Sequence, residues 1–206
     1  MDQYSGIKMK PIALITGGSR GIGLGIAKSM LKAGYSLAIN GVRPADQVKE
    51  VLAELNTDEG EVIYCQGDIS ISEDRSKIIS EVKAHFGRLN VLINNAGVLL
   101  TGNLFVTNSS TVSDKDLKDT FQTNFFSVIS LTQKLLPLIK KSEAGRIVNV
   151  STILSSLTLH SAKDSPISPA KELAYNASKT ALNAYTIHLA IELKDTNIKV
   201  NSGHPG

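Results

Sequence analysis

A single cysteine, Cys65, among 206 residues has no partner for an internal disulfide, which excludes a small disulfide-stapled scaffold. No apolar run approaches the roughly 18 residues that a membrane-crossing helix requires, and residues 1–10 lack the apolar core of a signal peptide. Basic runs are missing as well. The 22 Lys and Arg exceed the 19 Asp and Glu by a net charge of +3 and are scattered, so neither nucleic acid nor a membrane surface is an expected partner. The four histidines, His85, His160, His188 and His204, show neither metal-ligand spacing nor an adjoining acid that would make a triad. No metal is expected. A soluble, reducing, cytoplasmic setting follows as the expectation, with His85 and His188 on helices, His160 in a loop and only His204 near a site.

At roughly 100 to 200 residues per domain, the length predicts one domain over 1–206, with 1–8 a flexible lead-in. Short β-branched runs alternate with longer helical stretches, which is the pattern of βαβ units and a parallel sheet. Strands are predicted at 12–15, 37–40, 62–65, 91–93, 147–150 and 198–200. Helices are predicted at 21–33, 45–55, from the capping box Ser70-Ile71-Ser72-Glu73 to Phe86, at 114–140 with Pro137 disturbing its end, and at 171–194. The expected fold class is α/β: a Rossmann-like, doubly wound parallel sheet.

Between the first strand and first helix the chain reads Thr16-Gly17-Gly18-Ser19-Arg20-Gly21-Ile22-Gly23. Gly17 suits a tight turn, Gly21 lets a pyrophosphate approach the backbone, and Gly23 lets helix and strand pack closely. The following helix offers free N–H groups and the positive end of its dipole to phosphate. Glycines alone are equally consistent with a plain turn; their position at the head of a βαβ series favours a nucleotide.

Two further motifs follow in order: Asn94-Asn95-Ala96-Gly97 after the fourth strand, and Tyr175-Asn176-Ala177-Ser178-Lys179 on the last helix. Together with the glycine turn they resemble the short-chain dehydrogenase/reductase family, over residues 8–206. The resemblance implies a nicotinamide dinucleotide contacted by Gly17, Ser19, Arg20, Gly21, Ile22, Gly23, Asn95, Ala96 and Gly97, by Pro205 and Gly206 after the sixth strand, and by Tyr175 and Lys179. It also implies that Asp68 meets the adenine amino group with Ile69 beside the ring, although Asp68 equally suits a helix N-terminus.

An acid at the end of the second strand would select NAD, and an arginine there NADP. Here Asn40-Gly41-Val42-Arg43 contains no acid, and Arg43 with Arg20 can grip a 2′-phosphate. NADP, as NADPH, is the expected cofactor; two solvated surface arginines are the alternative.

Tyr175 and Lys179 are four apart and share a helix face, a pairing that on its own is more often surface decoration. An ammonium beside a phenol lowers its ordinary value near 10 by roughly 1 to 3 units. In the family the tyrosine exchanges a proton with the carbonyl oxygen, so the resemblance implies the catalytic set Tyr175, Lys179, Thr152 and Asn124. Asn124 matches the asparagine that holds a water chain, with a helix-kink or satisfied core amide as the alternative. Thr152 stands where relatives commonly carry serine, in Asn149-Val150-Ser151-Thr152, and Ser151 is the alternative if the register slips by one.

The implied activity is NADPH-dependent reduction of a ketone or aldehyde. A catalytically inactive cofactor-binding sensor, and an epimerase or dehydratase on the same fold, remain alternatives. The first half resembles oxoacyl reductases and the second half carbonyl reductases, which raises a recombined origin joined near 98–112. The interval between Thr152 and Tyr175 is longer than the family's compact form, and residues 161–169 are expected to carry the extra length beside the site mouth. The chain stops directly after the sixth predicted strand, from which a C-terminally shortened domain without its final strand and substrate lid is expected. An exposed sixth-strand edge and weak selectivity would accompany it, and a homo-oligomer stays open.

Overall fold

The strand sequences alternate apolar residues toward two faces, and both faces are covered. In the computed structural model, which describes residues 10–57 and 60–205, six parallel strands form one sheet in the order β3-β2-β1-β4-β5-β6. The expectations for residues 1–8 and for Gly206 lie outside the described residues. The strands are β1 (Ile12–Ile15), β2 (Ser36–Gly41), β3 (Val62–Gln66), β4 (Val91–Asn94), β5 (Arg146–Val150) and β6 (Lys199–Gly203). Each prediction of a strand is met, with ends moved by a few residues at most.

From β1, Ile12 and Leu14 point to one face and Ala13 and Ile15 to the other, as the two-residue period of a strand requires. The first pair joins a core with Ile78, Leu131, Leu135 and Leu189, and the second joins Ala27, Leu31, Leu37 and Leu55. The second face is covered by α1 (Gly21–Lys32) and α2 (Lys49–Leu55). On the first lie α3 (Ser72–Phe86), the segment made of α4 (Asp114–Phe121) and α5 (Ser127–Ile139), and α7 (Leu173–Glu192); a short α6 (Leu157–Ser161) precedes α7. The result is a doubly wound α/β domain.

Several predicted boundaries are corrected. The capping box does not form: α3 starts at Ser72 with Ile71 at its N-cap and no side-chain cap. Asp68 takes over that local work, accepting from the Ser70 N–H at 2.8 Å while its own N–H donates to Asp74 at 2.7 Å. Residues 45–48 are a tight 3₁₀ turn rather than α-helix. The predicted helix over 114–140 is divided by a π-turn, Gln122–Phe126, and Pro137 is accommodated within α5. His160 lies in α6 rather than a loop, where its ring bonds to the Leu154 carbonyl at 2.8 Å.

β1 and β4 are neighbours although chain order separates them, so the sheet changes winding direction between their carboxyl ends. Ligands of open α/β sheets bind at such a switch point. The Thr16 hydroxyl joins the two strand ends, donating to Ile93 O at 3.4 Å and accepting from the N–H groups of Asn95 and Ala96, each at 3.0 Å. Deeper in, a buried amide chain links β4 to β5 and α7: Asn94 donates to Asn149 at 2.8 Å, and Asn149 to Thr186 at 2.8 Å. Nothing in the hydropathy pattern marks this chain, because asparagine reads as a turn residue.

Candidate active site

At the switch point the glycine turn bends back over β1 and opens a cleft of about 580 Å³. Gly17 and Gly21 have φ of +63° and +52°, which side chains adopt only with strain. At Gly23 a Cβ would stand 2.2 Å from the Gly17 carbonyl, so helix and turn can approach only through glycine. Arg20 occupies the N-cap of α1 without a side-chain hydrogen bond, leaving the helix's leading N–H groups directed at the cleft. Asn95 braces the turn, its amide donating to Thr16 O at 2.9 Å and Gly17 O at 3.3 Å.

Opposite the turn, the end of β2 lines the same cleft. Arg43 donates to Ser19 O at 2.6 Å, its own carbonyl accepts from Tyr64 at 2.6 Å, and its Nε is buried with no partner. A Cβ on Gly41 would lie 2.7 Å from the Ser19 hydroxyl and 3.0 Å from that of Tyr64. Asp68, Ile69, Ala96 and Gly97 complete the floor and far wall. The expected dinucleotide contacts thus converge on one cleft, apart from Tyr175, Lys179 and Pro205, which lie next door, and Gly206, which is outside the described residues.

The adjoining cavity, about 310 Å³, shares Ile22, Asn95, Gly97 and Val98 with the cleft and holds Tyr175, Lys179, Thr152, His204 and Pro205. Lys179 is only 4% exposed, donates to Val150 O at 2.8 Å, and stands 5.9 Å from the centre of the Tyr175 ring. Burial lowers its ammonium from 10.5 to about 8. Tyr175 departs from expectation: burial raises its phenol above the ordinary 10, and a hydrogen bond from Thr152 opposes the rise. Burial is the larger cause, and the Lys179 charge on which the sequence argument relied is not among the causes.

Thr152, not Ser151, faces the phenol. It opens a 3₁₀ turn, Ile153–Ser155, by accepting from the Leu154 N–H at 3.2 Å, whereas the Ser151 hydroxyl is turned toward Ser155 at 3.4 Å. Asn124 sits in the π-turn with its amide fully used. It accepts from Val98 N at 2.8 Å and donates to Val98 O at 2.9 Å and to Ser178 at 3.1 Å. The side-chain amide is satisfied within the core, and it fixes the loop after β4 against α7.

Sequence reasoning missed the apolar wall. Leu99, Leu104, Val150 and Ile153 line the cavity, and Leu104, Leu154, Leu159, Ile167 and Ala170 form a small separate core against Tyr175. The extra segment thus packs on the tyrosine itself. Its single buried apolar residues within polar loops carry no periodicity to read. Cys65 is remote from this chemistry, with burial pushing its thiol up to about 12.

Residues 11–206 match the short chain dehydrogenase family. The chain belongs to this family. It is 28% identical over 200 residues to the 3-oxoacyl-(acyl-carrier-protein) reductase FabG of Staphylococcus aureus (strain Mu50 / ATCC 700699), covering 97% of this chain and 75% of that protein. It is 32% identical over 195 residues to the uncharacterized oxidoreductase YgfF of Escherichia coli (strain K12), covering 95% of this chain and 75% of the relative. Among solved structures, L-sorbose reductase from Gluconobacter frateurii, complexed with NADPH and L-sorbose, superposes with a TM-score of 0.79 at 26% identity, covering 96% of this chain and 69% of that one. A 3-oxoacyl-(acyl-carrier protein) reductase from Brucella melitensis gives 0.80 at 27% identity, covering 97% and 76%. The chain is thus an oxidoreductase of a family that binds NAD(P). Among the described residues no helix is long and apolar enough to cross a membrane, and no cluster of metal-ligating side chains occurs.

Proposed function

We propose that the protein reduces the ketone or aldehyde carbonyl of a small, largely apolar substrate, with Tyr175 as proton donor and NADPH as cofactor. The observation that carries this reading is the grouping of Tyr175, Thr152 and Lys179 at the end of an apolar cavity that opens into the glycine cleft. The cofactor, when bound, supplies the hydride. The backbone of the glycine turn and the leading N–H groups of α1 would hold its pyrophosphate, while Arg43 and Arg20 would hold a 2′-phosphate.

Thr152 orients the carbonyl oxygen beside the phenol by donating a hydrogen bond. Tyr175 then passes its proton to that oxygen as negative charge builds there, and the Lys179 ammonium stabilises the phenolate left behind. Among the described residues, Lys179 and His204 are the only ionisable groups besides Tyr175 that line the cavity. Apart from these and short hydroxyl and amide groups, the wall is aliphatic, which favours substrates without a charge beside the carbonyl. FabG-like relatives make 3-oxoacyl groups natural candidates.

Loss of NADPH absorbance with ethyl acetoacetate, compared between the native protein and Tyr175→Phe, tests the activity; equal rates would refute Tyr175 as proton donor. Cofactor choice rests on Arg43 and on the lack of an acid at the end of β2, where Gly41 lies close to the Ser19 and Tyr64 hydroxyls. Arg43→Ala is expected to weaken NADPH binding about tenfold and leave NADH binding within twofold, as loss of one charge-assisted contact implies. Equal loss for both cofactors would reject the preference.

A further inference from the structure

Helix α7 begins with an unusual cap. Ser, Thr, Asp and Asn are the usual N-cap residues because their short side chains reach the N–H groups of the first turn. Here Glu172 caps, is only 1% exposed, and accepts from the Tyr175 N–H through Oε2 at 2.6 Å. That N–H is one of the leading donors that a helix cannot satisfy from within itself. The other carboxyl oxygen accepts from the Asn108 amide at 3.4 Å, and Asn108 Oδ1 accepts from the Leu173 N–H at 3.0 Å.

Asn108 belongs to the loop that carries Leu104 into the cavity wall. The same loop is also tied to the segment leading into α7 by a parallel bridge between Thr107 and Lys171, in which the Lys171 N–H donates to Val106 O at 3.1 Å. One side of the substrate cavity and the first turn of α7 are therefore joined through the Glu172 carboxyl and the Asn108 amide. Lys179 lies one turn deeper and is held separately by Val150.

We propose that Glu172 and Asn108 are a positioning pair that holds the Tyr175 phenol in register with Thr152 and with the cavity wall. This rests on the reading of Tyr175 as proton donor. Without the pair the first turn loosens, the phenol leaves its place beside Thr152, and the glycine cleft is unaffected.

The pairing has a directional chemistry that can be exchanged. Glu172 supplies two acceptors, one to Tyr175 and one to Asn108. In Glu172→Gln one of these becomes an NH₂ group, which faces either the Tyr175 N–H or the Asn108 amide. In Asn108→Asp two carboxyl groups face one another. The double variant Asn108→Asp/Glu172→Gln restores every donor to an acceptor and keeps the number of acids.

Each single variant is expected to lower kcat for NADPH-dependent reduction of ethyl acetoacetate about tenfold, while the double variant returns to within about threefold of native. NADPH affinity is expected to change less than about twofold throughout, since the cleft is built from other elements. A second readout needs no substrate. Tyrosinate absorbance of each protein, taken as a difference from the same protein carrying Tyr175→Phe, follows the ionisation of that phenol alone. Its midpoint is expected to move in both single variants and to recover in the double.

Unchanged kcat and midpoint in the single variants, or a double variant no better than the worse single one, would overturn the pair. If Glu172→Gln does not fold, Asn108→Ala removes only the outer half of the pair, with about a threefold fall in kcat expected and an unchanged kcat and midpoint refuting it. Equal turnover by native and Tyr175→Phe would sink the proton-donor reading alone. The tyrosinate midpoints would still decide the pair.

Discussion

The glycine cleft and the Tyr175 cavity are adjacent and share four residues, yet they are built from different parts of the chain's chemistry. In the cleft the decisive groups belong to the backbone: left-handed Gly17 and Gly21, the bare Gly23, and helix N–H groups with no side-chain cap. In the cavity they are side chains, namely a phenol, a threonine hydroxyl and a buried ammonium, set by local caps and by a small core that the extra segment brings in. A backbone site fails when a methyl group is added. A side-chain site tolerates added chain length but fails when a functional atom is removed.

The sharpest way to separate the two is to take one oxygen from the cavity. Tyr175→Phe is expected to lower kcat roughly a thousandfold, within the range for loss of a general acid, while NADPH affinity stays within about threefold of native. Cofactor titration followed by single-turnover reduction would show both. A large loss of affinity would mean that the two regions are not separable.

Lys179 gives the next largest effect, in stability. Its folded value of about 8 lies below the ordinary 10.5, so below pH 8 the fold carries the full cost of a buried ammonium. Between about 8 and 10.5 the unfolded chain binds more protons than the folded one, and stability rises with pH across that window. Lys179→Met removes the charge and is expected to stabilise the protein at pH 7 by up to about 3 kcal/mol, with the gain fading by pH 10.5. Urea unfolding at pH 7, 9 and 10.5 would measure it. A variant equally stabilised at every pH would show that packing, not charge, is responsible. Such a gain at the cost of activity is typical of functional sites.

A cleft variant makes the reverse test. In Gly23→Ala the new methyl meets the Gly17 carbonyl at 2.2 Å and the Asn95 amide at 2.6 Å, so backbone rather than a flexible side chain has to move. Binding of NADPH is expected to weaken at least about tenfold, with kcat at saturating cofactor within about threefold of native. Unweakened binding would show that the turn adjusts to a methyl group and would remove the contrast between the two regions.

The same contrast explains what was legible in the sequence. The cleft could be read because the glycines stand between a strand and a helix at the head of a βαβ series, and the parallel sheet follows from alternating βα units. The tyrosine and lysine were legible through the company of the other two motifs, since helical spacing alone gives only a shared face. Glu172 was not, because a glutamate at the edge of a predicted helix looks like helix interior, and only the Asn108 contact shows it to be the cap. The ionisation of Tyr175 was misjudged for a related reason: spacing gives proximity to Lys179 but says nothing about how far burial opposes the charged form. The π-turn around Asn124 was not placed, since the sequence on both sides reads as continuous helix.

Thr152 offers the smallest and most discriminating test. Its hydroxyl both caps the Ile153–Ser155 turn and meets the Tyr175 phenol, while the β-branch limits its rotamers. Thr152→Ser keeps the donor and frees the rotamer, so kcat is expected to equal or exceed native by no more than about threefold. Thr152→Ala loses both hydrogen bonds. The lost cap costs about 1 kcal/mol, a fall in Tm of a few degrees, whereas kcat is expected to fall at least about tenfold. Activity that survives Thr152→Ala but not Ser151→Ala would move the carbonyl-orienting role to Ser151. The hydroxyl now directed at Ser155 would then have to turn toward the phenol during the reaction, and the cavity would be less rigidly organised than its hydrogen bonds imply.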